Sequence, residues 1–304
     1  LHRLIRRQRQ MCIRDRCDIS KEDARKMGIQ IVPISVRFGD EEFLDGVEIT
    51  HEEFYTRLAE CDELPKTSQP SPDTFMKVFN EAVAAGDDVL GIFISSDLSG
   101  TYQSACLAAL DVEEETRKKL YMVDSRSASI GTALLIREVV KLRDAGVNVS
   151  DIAAACTEMS KYIKLTAVVG SLKYLKMGGR LSGAAAFAGT MLHITPVVSI
   201  EDGKVVVIGK TRGKKAAEKL MHDKLIKDGL SLTRDFMFGH INCSESLETF
   251  INKSLTYISD VNGNVGVSSI GCSVGTHVGP GTYGIAYVEA AESGMNRESI
   301  VKTA

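Results

Sequence analysis

The chain has 304 residues, 44% hydrophobic and 25% charged, enough to bury more than one packed core. Its formal net charge of −3 supplies no overall basic field for nucleic acid or an anionic membrane. Seven cysteines lie scattered at 12, 17, 61, 106, 156, 243 and 272, with no CxxC pair and no Cys/His spacing of a zinc site, so they read as reduced, mostly buried thiols with no metal among them. No apolar run reaches the roughly 18 residues that a membrane span needs, and no signal-peptide core is present, which predicts a cytoplasmic protein without an integral membrane segment.

Residues 1–16 are Arg-rich and lack strand periodicity. Met11-Cys12-Ile13-Arg14-Asp15-Arg16 resembles translated sequencing-adapter read-through, so the segment is set aside as a non-native leader and the sheet's first strand is expected to be missing or overwritten. From residue 17 strands and helices alternate. Ile29 to Phe38 is β-branched and alternating, Thr50-His51-Glu52-Glu53 is a capping box opening a helix, and Ser71-Pro72 starts another that closes near Gly86. Val89 to Ile94 is a short buried strand. It stops at Ser95-Ser96-Asp97-Leu98-Ser99-Gly100 and resumes as a helix with Ala105, Leu107, Ala108 and Leu110 on one apolar face. Leu120 to Val123 is a strand, Ile130 to Leu142 a helix ending before Gly146, and Ile152 to Tyr162 a further helix. This order implies a mainly parallel sheet covered by helices, with ligands bound beyond the carboxyl ends of its strands, where Ser96, Ser99 and Asp124-Ser125 fall.

The pattern then changes. Ile194 to Ile200, the turn Asp202-Gly203 and Lys204 to Lys210 read as a β-hairpin. A helix over about Lys214 to Lys227, a strand Phe236 to Ile241, a helix Glu245 to Leu255 and strands near Val265 to Ile270 and Tyr283 to Val288 follow. The predicted architecture is α/β in two domains: an N-terminal, mainly parallel Rossmann-like domain over 17–160 and a C-terminal α+β domain over 161–304, with a ligand between them.

Several loops carry candidate chemistry, each with a plain structural alternative. Ser99 lies near a helix N-terminus, where unpaired N–H groups and the helix dipole favour a carboxylate or phosphate, although a Ser there also serves as an N-cap. The loop 64–72, stiffened by Pro65, Pro70 and Pro72, could fix Thr67, or merely lead into the Ser71 cap. Residues 176–183 could carry Arg180 to an anion between glycines, or form a hinge. Residues 276–282 could set His277 and bare backbone N–H groups against a ligand, or simply connect two strands.

Taken together, Lys-Thr-Ser-Gln-Pro-Ser (66–71), Ser-Ser-Asp-Leu-Ser-Gly-Thr-Tyr-Gln-Ser-Ala (95–105), Tyr-Leu-Lys-Met-Gly-Gly-Arg-Leu-Ser (174–182), Lys-Thr-Arg-Gly-Lys-Lys-Ala (210–216) and His-Val-Gly-Pro-Gly-Thr (277–282) resemble, in order and spacing, the DegV family over about residues 17–290. The resemblance implies a two-domain α/β protein that binds one long-chain fatty acid between its domains, without cofactor or catalysis of its own, and serves as the acyl-carrier subunit of a bacterial fatty acid kinase. It implies that Thr67 and Ser99 hydrogen-bond the carboxylate, with His277 beside it and Arg180 at the same end. Arg212, in the basic cluster 210–215, is a candidate contact for the acidic surface of the kinase catalytic subunit, or simply part of a solvated face at a helix start. The apolar residues of 184–192, with Phe93 and Ile194, are candidates to line the slot for the tail. One departure is clear. Family members begin with a hydrophobic strand ending in Asp-Ser-Thr/Ala-Cys-Asp, whereas Arg14-Asp15-Arg16 precede Cys17-Asp18 here.

Two other classes fit the residues less well. A serine hydrolase lacks support, because Asp97-Leu98-Ser99-Gly100-Thr101 is not Gly-x-Ser-x-Gly. A phosphotransferase related to dihydroxyacetone kinases is the alternative function, yet the chain has no Gly-x-x-x-x-Gly-Lys-Ser/Thr loop and no clear carboxylate cluster for Mg²⁺.

Overall fold

The computed structural model describes residues 10–14 (backbone only), 17–61, 63–181, 194–231, 233–256 and 263–290. In chain order, β1 (Gln10–Arg14), α1 (Lys21–Lys26) and β2 (Gln30–Ile31) precede β3 (Ser35–Phe38), β4 (Glu41–Leu44), α2 (His51–Glu60), β5 (Lys66–Ser68) and α3 (Pro72–Ala84). Then come β6 (Asp88–Phe93), α4 (Thr101–Thr116), β7 (Tyr121–Asp124), α5 (Ser129–Asp144) and α6 (Val149–Met159). The second half holds β8 (Ile163–Val168), α7 (Lys173–Met177), β9 (Thr195–Glu201), β10 (Lys204–Thr211), α8 (Lys214–Asp228), β11 (Phe236–His240), α9 (Ser244–Leu255), β12 (Val265–Ser269), α10 (Cys272–Val278) and β13 (Tyr283–Val288).

Among the described residues the strands form three sheets. The first is parallel, in the order β2-β1-β6-β7; the second is mixed and six-stranded, β10-β9-β8-β13-β11-β12; the third is a small antiparallel sheet, β4-β3-β5. The mixed α/β class expected from the sequence is the fold observed.

The expectation of a lost first strand is corrected. Gln10–Arg14 runs parallel to β2 on one side and β6 on the other, with Ile13 opposite Gln30 and Gly91. Met-Cys-Ile suits an extended chain, and the hydrogen bonds of a ladder come from backbone whatever the side chains. The single strand read over Ile29 to Phe38 is two, because Pro33 interrupts it; β2 and β3 join different sheets.

Local chemistry sets the helix starts. Thr50 and Glu53 close a reciprocal capping box on α2, and Ser71 caps α3 with Pro72 in its first turn. On α4 the face differs from the one expected: Ala105, Ala108, Ala109 and Val112 are buried, while Leu107 and Leu110 are 57% and 62% exposed. Small residues at the buried positions let the helix lie close to α3 and β6, which turns the leucines outward.

The centre of the molecule is α5. Eleven of its residues, including Ile130, Leu134, Ile136 and Val139, are buried, and one apolar cluster runs continuously through it from Ile92 and Val123 of the first sheet to Leu165, Ile200, Met237 and Ala286 of the second. Smaller clusters lie under α8 and α9, between α3 and α4, and under α2.

Candidate functional site

Residues separated widely in sequence meet beside this core. Thr67 lies on β5, opposite Val36 of β3, and so belongs to a strand. Its Oγ1 is 3.1 Å from Nε2 of His277, which lies inside α10 and not on the strand connection that was the structural alternative for 276–282. The imidazole rests against the backbone of Gly178, where an added Cβ would collide with Nδ1. Arg180 follows directly. Its Nη1 donates to Gly178 O and its Nε to Leu98 O at 3.3 Å, the residue before Ser99. A guanidinium has five N–H groups, so three remain for another acceptor.

Ser99 is buried, and its Oγ lies 2.9 Å from Thr101 Oγ1 while accepting from Thr101 N at 3.4 Å. The N-cap of α4 is Gly100 and not Ser99, and it has no side-chain cap. Gly100 leaves room for Gln69, whose Oε1 an added Cβ would strike. Thr67, His277, Arg180 and Ser99 are therefore joined through contacts of their own or of adjacent residues. Arg212 stands apart, exposed between β10 and α8; among the described residues it makes no hydrogen bond or ion pair with this group. The slot residues 184–192 lie outside the described residues, and Phe93 is packed edge-on against Phe75, 5.6 Å between ring centroids.

The β9–β10 hairpin bears on the same region. Ser95 Oγ donates to Gly203 O at 2.7 Å, and Arg126 pairs with Asp202 at 2.9 Å. Gly203 has φ +81° and its Cα lies so near that an added Cβ would stand 2.6 Å from Ser95 Oγ, so both conformation and space require glycine.

A second polar cluster draws on residues outside the sequence motifs. Asp18 accepts from Ser129 Oγ and from Gly271 N (2.8 Å), and Asp45 takes the backbone N–H groups of Cys272 (3.2 Å) and Ser273 (2.8 Å) at the start of α10. Burial, with repulsion from Asp45 adding to it, raises the Asp18 carboxyl to about 6, and burial beside Asp45 also pushes the Cys272 thiol up. This cluster borders a cavity of about 900 Å³ walled by α1, the 29–34 segment, Asp45, His51 and 267–271. Its members come from positions 18, 45, 51 and 272, so no spacing in the sequence could signal them.

Fold and site together define a mixed α/β protein that gathers hydroxyl, imidazole and guanidinium groups from distant parts of the chain. It belongs to the DegV family: the family model, described as uncharacterised proteins of the DegV family, matches residues 16–290. The chain is 36% identical over 272 residues to a DegV domain-containing protein of Clostridium acetobutylicum, covering 86% of this chain and 91% of that one. Among solved structures it is similar to a DegV family protein from Thermus thermophilus described for its fatty acid binding (TM-score 0.82, 29% identity, 93% of this chain and 100% of that one). It is also similar to DegV, a fatty acid binding protein from Bacillus subtilis (TM-score 0.80, 27% identity, 93% and 100%). Among the described residues no helix is long and apolar enough to cross a membrane.

Proposed function

We propose that this chain binds one long-chain fatty acid, holds its carboxylate with Thr67, Ser99, His277 and Arg180, and presents it in the cytoplasm to a fatty acid kinase catalytic subunit for acyl phosphate formation. The observation that carries the reading is the Thr67–His277 contact, continued through Gly178, Arg180 and Leu98 to Ser99. A carboxylate taken out of water is costly unless several donors satisfy it, and two hydroxyls, an imidazole and a guanidinium are such a set. Relatives of the same fold described as fatty acid binding support the ligand class. In this reading the chain is a carrier and not an enzyme, with His277 Nε2 engaging Thr67 and Ser99 Oγ engaging Thr101 Oγ1.

The test begins with protein purified from several hosts, denatured, and its released lipid identified by mass spectrometry. Near one fatty acid per chain is expected; no lipid from any host, or turnover of ATP and fatty acid by this chain alone, overturns the reading. Thr67→Ala and Ser99→Ala each remove one donor from a buried carboxylate and should weaken fatty acid binding roughly ten- to hundredfold, about 1.5–3 kcal/mol. An acyl phosphate bears more negative charge than a carboxylate, so Arg180→Ala should reduce acyl phosphate formation with a cognate kinase more than fatty acid affinity. Arg212→Glu should mainly weaken kinase association and lower its salt dependence. Unchanged coupled turnover in both variants removes the two arginines from the mechanism.

A further inference from the structure

The cluster at the edge of the 900 Å³ cavity carries chemistry that fatty acid binding leaves unused. A carboxylate oxygen of Asp45, a ring nitrogen of His51 and Sγ of Cys272 all lie within 4.8 Å of one another. They come from three places: the residue after β4, the first residue of α2 and the first residue of α10. A methyl group placed on Gly271 would stand 3.3 Å from Asp45 Oδ2, 3.3 Å from His51 Nε2 and 3.2 Å from Asp18 Oδ1, so these polar atoms converge on one point beside the backbone. Glycine is the residue that keeps carbon out of that point.

The ligands are also oriented. His51 Nδ1 lies 3.3 Å from Ser269 Oγ, and an outer partner on one ring nitrogen fixes the tautomer that offers the other to a metal. Each Asp45 oxygen accepts one backbone N–H and retains lone-pair capacity. Cys272 is buried, with its Sγ within 4.8 Å of the Asp45 carboxylate and the His51 ring nitrogen. Capping α10 accounts for the Asp45 contacts to Cys272 N and Ser273 N. It does not account for an imidazole nitrogen and a thiol directed at the same place.

Carboxylate, imidazole and thiolate together suit a borderline-soft divalent ion, whereas Mg²⁺ and Ca²⁺ select all-oxygen shells. We propose that Asp45, His51 and Cys272 bind one zinc ion per chain, with the fourth coordination position facing the cavity beside Asp18. The zinc takes the place of the thiol proton, which leaves to solvent, and neutral imidazole coordinates through Nε2.

The test uses full-length protein stripped with a chelator and titrated with Zn²⁺ alone by calorimetry. One-to-one binding is expected, with a heat that varies with buffer because a proton is released, and with a rise in melting temperature as zinc is added. Co²⁺ in place of zinc should give a thiolate-to-cobalt charge-transfer band together with the visible bands of a four-coordinate ion. His51→Ala, at a half-exposed position, should weaken zinc binding roughly hundredfold or more, and Ser269→Ala, which touches only the ring's outer nitrogen, roughly tenfold to hundredfold. Cys272→Ser should abolish the charge-transfer band. If that buried variant folds poorly, His51→Ala and Ser269→Ala still decide the matter. Absence of one-to-one binding, a cobalt spectrum without thiolate, or unchanged affinity in His51→Ala overturns the proposal.

Discussion

Gly178 decides how near the His277 ring can lie to the backbone. Alanine there would force the ring away from Thr67, and such overpacking typically costs about 1–3 kcal/mol. Gly178→Ala should therefore lower the urea midpoint and reduce lipid retention together, read by chemical unfolding and by mass spectrometry of the purified protein. A second prediction concerns His222, stacked on Phe250 at 5.1 Å and held by Ser254 Oγ at 2.9 Å. Burial depresses its pKa below the ordinary 6.5, so the unfolded chain takes up this proton more readily than the folded one. Stability should be fully present above about pH 6.5 and fall as pH drops below it, and His222→Gln should flatten that slope in urea titrations run across the range.

At the scale of elements, β1 is flanked by neighbours on both sides, which gives the clearest test of its place. Proline at position 13 removes a ladder N–H in a central strand, so Ile13→Pro should cost about 3 kcal/mol or more; a neutral outcome in thermal unfolding would show that 10–14 do not pair between β2 and β6. The same strand marks a limit of reading from sequence, because its order comes from β2 and β6, not from its own periodicity. What was legible had strong local chemistry: the Thr50 box, the Ser71-Pro72 start, the Asp202-Gly203 hairpin and the run into β6. What was not legible depends on partners. Cys272-Ser-Val-Gly-Thr-His-Val has two valines, a threonine and a glycine in seven residues, poor material for a helix, and α10 holds because Gly275 lets the Tyr55 ring lie against it. β5 is three residues between prolines and exists only by pairing with β3. The candidate site was visible as four separate motifs, 66–71, 95–105, 174–182 and 277–282; that Thr67 touches His277 and Arg180 reaches Leu98 is tertiary information.

For the whole molecule, the continuity of the core through α5 predicts one unfolding transition, with calorimetric and van't Hoff enthalpies equal. A polar tie accompanies that core. Glu138 of α5 and Arg234, just before β11, pair at 2.6 Å with 1% and 8% of their side chains exposed, and Lys141 and Asp235 extend the network. Arg234→Met leaves Lys141 as the remaining cation on Glu138 and strips one oxygen of its partner, so it should cost about 1–3 kcal/mol in urea unfolding. The double variant Glu138→Met with Arg234→Met should recover most of that loss; no recovery would mean that the arginine acts through packing alone.

Thr67 and His277 are 210 residues apart, and that separation also sets a schedule. On the ribosome, at 5–20 residues per second, His277 emerges about 10–40 s after Thr67. Until then the nascent chain has a hydroxyl with no imidazole to meet it. In the proposed reading, lipid loading therefore waits until His277 has emerged, so free ligand is drawn on by chains that hold both residues and not by those still short of residue 277.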